Sequence, residues 1–235
     1  MSEHRALLAP GTAAEVADAV GELVEGVFTE LRHVRDAAAR IVGPAPVSAD
    51  LAALRPLLFP RLGGLISGIG FIAEPGLLAD APWHLEWWQE SASGEPVRLL
   101  RDMNPASSAF YDYTHWDWFA GPRSGAEHTL TGPYVDFLCT DEYSLTLSVP
   151  VRRDGEFIGV AAADVLVRRF EVAVSPVLRG IQGPAFLVNA HGRVVASTTA
   201  KWLAGSVFRG APGLVAHPCR GLPLSLLAAQ LPHVP

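Results

Sequence analysis

Residues 144 to 167 constrain the fold of this 235-residue chain more tightly than any other stretch. Leu145, Leu147, Val149 and Val151 alternate with Ser144, Thr146 and Ser148. A period of two puts the two sets on opposite faces of a half-buried strand. Asp154-Gly155 follows, a dipeptide that tolerates the positive φ angles of a two-residue hairpin turn. Phe157 to Val167 is apolar enough to return as a central strand. Leu65 to Ala73, His84 to Gln89 and Val97 to Leu100 read as further strands, and Ala185 to Val188 with Arg193 to Ser197 as a second hairpin.

Helices precede the sheet. Thr12 and Glu15 have the spacing of a capping box. Val16, Val20, Leu23, Val27, Leu31, Val34, Ala38 and Ile41 then recur at steps of three and four, one apolar stripe on a long helix that Gly43-Pro44 ends. A second helix is expected from a Ser48 cap, shortened by Pro56 and Pro60, and a short one over Phe170 to Leu178. Helices followed by antiparallel strands give an α+β class. The expected division is residues 1–180, a helix plus a sheet module, and residues 181–235, a partial second module with a tail.

A net charge of -6 without a dense Lys/Arg stripe argues against nucleic acid as a partner. The eight His residues form no His-x-x-x-His or His-Glu-x-x-His pattern, and Cys139 and Cys219 lack metal-ligand spacing, so no metal is expected. No nucleophile elbow or phosphate-binding glycine loop occurs, so neither catalytic residues nor a cofactor is expected. The N-terminus has no apolar leader and no apolar run is long enough to span a bilayer, which makes a cytoplasmic location the expectation.

Six of the ten residues from Phe110 to Phe119 are aromatic, against 9% in the whole chain, and Asp112 and Asp117 lie among them. Ring faces attract cations, so the run reads either as part of a cage for a positively charged ligand or as an ordinary aromatic core. Asp164 interrupts the apolar strand Ile158 to Val167 behind three alanines. A carboxylate there needs a partner: a cationic ligand, loop amides or an arginine. Tyr134 and Asp136, two apart, share a strand face and make half of an ammonium site, unless Asp136 is a surface residue near a turn. Glu86 reads as facing out, and Trp87 and Trp88 as core or interface residues.

From the first helix through Gly70-Phe71-Ile72-Ala73, the Tyr/Trp-rich middle, Thr131-Gly132-Pro133-Tyr134-Val135-Asp136 and the Ser144 to Asp164 hairpin, the chain resembles Cache sensor domains, the PAS-like ligand-binding domains of bacterial receptors. The likeness covers roughly residues 13 to 175. It implies a PAS-like antiparallel sheet behind the long helix, and a ligand site formed by Tyr111, Tyr113, His115, Trp116, Trp118, Phe119, Tyr134, Asp136 and Asp164. In the amino-acid-sensing group an Arg and aromatics hold the ligand carboxylate, and two aspartates hold its ammonium. Here both aspartates are kept, but Trp116 stands in place of the Arg, and Phe119 lacks the hydroxyl of the family's Tyr. Without that bidentate clamp the implied ligand is an amine or quaternary ammonium compound; Arg123 could restore a clamp from the next loop. The resulting expectation is a non-catalytic sensor for a small cationic or zwitterionic ligand. It would form a homodimer through the first helix and act through an unidentified downstream regulatory partner. The alternatives are an amino-acid sensor, an enzyme acting on a small amine, or an adaptor.

Overall fold

The computed structural model describes residues 11–135 and 142–229. Helix α1 (Ala13–Ile41) starts as the sequence predicts. The Thr12 amide donates to the Glu15 carboxylate at 2.7 Å and the Glu15 amide to the Thr12 hydroxyl at 3.2 Å. Its stripe is buried, with Val24 in place of the expected Leu23, Val42 in place of Ile41, and Phe28 added. The segment after it is mostly 3-10 helix: Ser48–Leu54, a single α turn, α2 (Arg55–Leu58), and Phe59–Arg61. Ser48 is not its cap. The Val47 amide is met by the Asp50 side chain, and the Ser48 hydroxyl donates to Asp80 at 2.7 Å.

Then follow β1 (Ile66–Ala73), β2 (Leu85–Glu90), β3 (Pro96–Arg98), α3 (Asp117–Arg123), β4 (Thr129–Val135), β5 (Tyr143–Arg153) and β6 (Glu156–Leu166). The strands form one antiparallel sheet in the order β3-β2-β1-β6-β5-β4, with β6 central as its composition requires. The β5–β6 turn is the expected one, Asp154 at φ 51° and Gly155 at φ 85°. Gly121 to Arg123, read from the sequence as loop, belong to α3.

After α4 (Val167–Leu178) come β7 (Ala185–Asn189), β8 (Val194–Ser197), β9 (Leu214–Pro218) and β10 (Leu224–Ala229), a second sheet in the order β8-β7-β10-β9. The long-range contacts of the described residues gather into two compact units. Residues 25–132 and 142–166 make the first, and residues 11–24, 133–135 and 167–229 the second. In the first, Arg61 reaches Glu30 of α1 at 2.6 Å and Arg153 donates to the Val42 carbonyl. The second centres on Phe186, stacked on Trp202 at 4.5 Å and edge-on to Phe208 at 5.1 Å. No helix among the described residues is long and apolar enough to cross a membrane.

Candidate ligand site on the glycine-floored face of the sheet

Strand register decides which side chains meet. Gly68, Asp164 and Thr146 lie directly opposite one another across β1, β6 and β5, and Gly70, Ala162 and Ser148 form the next row on the same face. Trp87 of β2 pairs with Gly70 and completes that row. Of the three alanines before Asp164, therefore, only Ala162 shares its face. Gly68 and Gly70 likewise put no side chain on this face. A Cβ at Gly70 would overlap the Glu86 carbonyl oxygen, and one at Gly68 would stand 3.0 Å from the Trp87 indole. Gly68 leaves room for that ring.

The polar face of β5 does not meet water. Ser144, Thr146 and Ser148 are all buried, which corrects the half-buried reading of this strand. Thr146 donates to Asp164 Oδ1 at 2.7 Å. Ser148 donates to the Trp118 carbonyl at 2.5 Å and lies 2.7 Å from the Thr129 hydroxyl. The covering segment runs from β3 through α3. It is anchored at its start by the Leu99 amide on the Trp87 carbonyl (3.0 Å). It packs Tyr113, Trp118 and Phe119 with Trp87, Ile72, Leu85, Val160 and Ala162 in one apolar cluster, with Tyr111 at its margin.

Within the aromatic run the rings have separate positions. Tyr113 and Phe119 are fully buried, 5.1 Å apart, and the Tyr113 hydroxyl donates to the Ala73 carbonyl at 2.7 Å; burial pushes that phenol's pKa upward. Trp118 is buried against the floor. Trp116, 37% exposed, precedes the first turn of α3, and the exposed His115 ring lies 5.1 Å from it. Neither carboxylate in the run belongs to a cage. Asp112 accepts from the Thr114 amide and hydroxyl, which lower its pKa, and Asp117 is exposed on α3. Tyr134 is half-buried on β4. Asp136 lies outside the described residues. Asp164 itself is 6% exposed.

Two charged groups depart from their expected places. Glu86 is 0% exposed, not outward-facing. It accepts from Arg55 at 2.8 Å and Trp88 at 2.9 Å, with Arg98 at 3.5 Å and His84 at 3.8 Å. Arg123 is held by Glu74 at 2.5 Å rather than offered as a carboxylate clamp. Burial raises the Glu74 pKa against the pull of that arginine.

Residues 97–171 match the family model of the first PDC sensor domain of methyl-accepting-chemotaxis-protein-like receptors. In the ligand-binding domain of the Pseudomonas fluorescens chemoreceptor CtaA, solved with L-valine, 94% of this chain superposes on 94% of that one with a TM-score of 0.63 and 18% identity. The fold is that of a Cache sensor domain. A second Cache structure agrees, the Pseudomonas aeruginosa amino-acid chemoreceptor PctC solved with GABA: TM-score 0.58, 20% identity, 92% of this chain and 95% of that one. In sequence, the methyl-accepting chemotaxis protein McpA of Pseudomonas putida is 32% identical over 108 residues, 45% of this chain but 16% of that receptor. This chain thus spans a small fraction of the receptor it matches. On the Cache sheet, Trp87 is the residue that sequence reading set aside. The signal was Gly68-x-Gly70, glycines inside a strand that mark close approach by the neighbouring one, the Trp87 ring at Gly68 and the Glu86 carbonyl at Gly70.

Proposed function

We propose that this chain is a non-catalytic ligand-binding domain of a sensor, and that its ligand is a small amine or quaternary ammonium ion. The observation that carries this reading is Asp164, a carboxylate nine-tenths buried on the sheet face it shares with Gly68, Gly70, Ala162 and Trp87. An ionised carboxylate in such surroundings costs several kcal/mol unless hydrogen bonds and a countercharge compensate. Thr146 donates one hydrogen bond to it, and in the proposed complex the ligand ammonium stands against the same carboxylate. Trp118 supplies a ring face in the proposed complex, a cation–ring contact being worth roughly 0.5–2 kcal/mol. Trp116 in place of the family's arginine, and the engagement of Arg123 by Glu74, favour a ligand without a carboxylate.

A zwitterionic ligand is the second reading, favoured by the amino-acid ligands of the structurally similar CtaA and PctC domains. A thermal-shift screen of matched pairs, each an amino acid beside its decarboxylated amine, separates the two. The primary reading expects the amines to raise the melting temperature more, and a preference for amino acids throughout would replace it with the second. A sensor returns its ligand unchanged, so turnover of a bound amine by the purified protein would contradict both. Signal output would pass to a downstream partner.

A further inference from the structure

The indole N–H of Trp87 has no hydrogen-bond partner although its atom is buried and the residue is only 5% exposed. Buried donors are almost always satisfied, because an unmet one forfeits its hydration without return. The position of this one is informative. An added Cβ at Gly68 would lie 3.0 Å from Trp87 Nε1, so the N–H edge of the ring hangs over Gly68. Asp164 is the residue directly opposite Gly68 on the next strand, and neighbouring strands are about 4.8 Å apart. The unmet donor and the carboxylate therefore lie on the same face of the sheet, one strand apart. Beyond Thr146 on the same strand face, the buried Ser144 hydroxyl also lacks a partner. An alkylammonium ion has only donors to offer and would leave the Trp87 N–H unmet.

We propose that Trp87 is a ligand-binding residue whose Nε1–H donates to an oxygen acceptor on the ligand, so that the ligand is a small cation carrying a hydroxyl or carbonyl a few bonds from its nitrogen. This rests on the cationic-ligand reading and narrows it. A single neutral N–H matches a neutral oxygen; it cannot give the bidentate contact that a carboxylate takes from arginine.

The test is calorimetric titration of the whole chain, wild type and Trp87→Phe, with two isosteric pairs: 3-amino-1-propanol against butylamine, and choline against propyltrimethylammonium. Phenylalanine keeps a ring and removes the donor. The expected result is that the wild type binds the oxygen-bearing member of at least one pair about tenfold more tightly. Trp87→Phe should abolish that preference while binding the alkyl member within about twofold of wild type. An unchanged preference in Trp87→Phe, or no preference in the wild type, overturns the inference and leaves the cationic-ligand reading standing. Failure of all four cations to bind the wild type overturns both.

Discussion

Glu86 is a fully buried carboxylate held by Arg55 and Trp88, and its chemistry is directly measurable. Burial pushes its pKa up, but the nearby His84 ring, hydrogen bonds from Arg55 and Trp88 and the Arg55 charge outweigh burial and bring it down to about 2. Its folded value therefore lies below the ordinary carboxylate value of 4.5. The stabilisation is complete above that value and is lost as pH falls toward 2, on the order of 3 kcal/mol in all. Urea unfolding of Glu86→Gln should show a shallower loss of stability between about pH 5 and 2 than wild type, and lower stability at pH 7 by about 3 kcal/mol. Parallel pH profiles would contradict this. Cys219 is the opposite case. Burial, aided by the Asp18 charge, pushes its thiol up to about 11 against a hydrogen bond at the Leu226 backbone. In a Cys139→Ser background a thiol reagent should label it only on unfolding; rapid labelling of the native protein would be the contrary result.

At the scale of elements, much was legible in the sequence, and the failures share a cause. The capping box, the apolar stripe of α1 and the Asp154-Gly155 hairpin are decided by neighbours within a few residues, and all three form. Gly155, at φ 85°, is required by that turn. Gly155→Ala should cost about 1 kcal/mol in urea unfolding, and an unchanged midpoint would mean that the turn relaxes to another type. The misread features depend on contacts remote in sequence. Alternation in β5 reveals two faces but not that the segment after β3 covers the polar one, so Ser144, Thr146 and Ser148 were expected in water. Glu86 was expected outside because its partner Arg55 lies 31 residues earlier. Of the aromatic run, the sequence gives the concentration of rings. It could not separate the buried Tyr113 and Phe119, which hold the covering segment together, from Trp118 against the floor and the exposed His115.

For the molecule as a whole, a domain that closes around a ligand gains stability from it. At 100 times its dissociation constant the ligand should add about 2.7 kcal/mol. Trp116→Arg bears on selectivity at this scale. It restores the guanidinium that the family's amino-acid sensors carry and should raise the affinity for amino acids relative to their amines by about tenfold. An unaltered ranking in a thermal-shift panel would mean that position 116 does not meet the ligand. The central claim is that the buried Asp164 carboxylate is the countercharge of a cationic ligand. It is tested most directly by calorimetric titration of wild type and Asp164→Asn with the amine that stabilises the wild type most. Asparagine keeps the shape and removes the charge, so the affinity should fall at least tenfold while the unliganded variant still melts cooperatively. Equal affinity in the two proteins would contradict the claim.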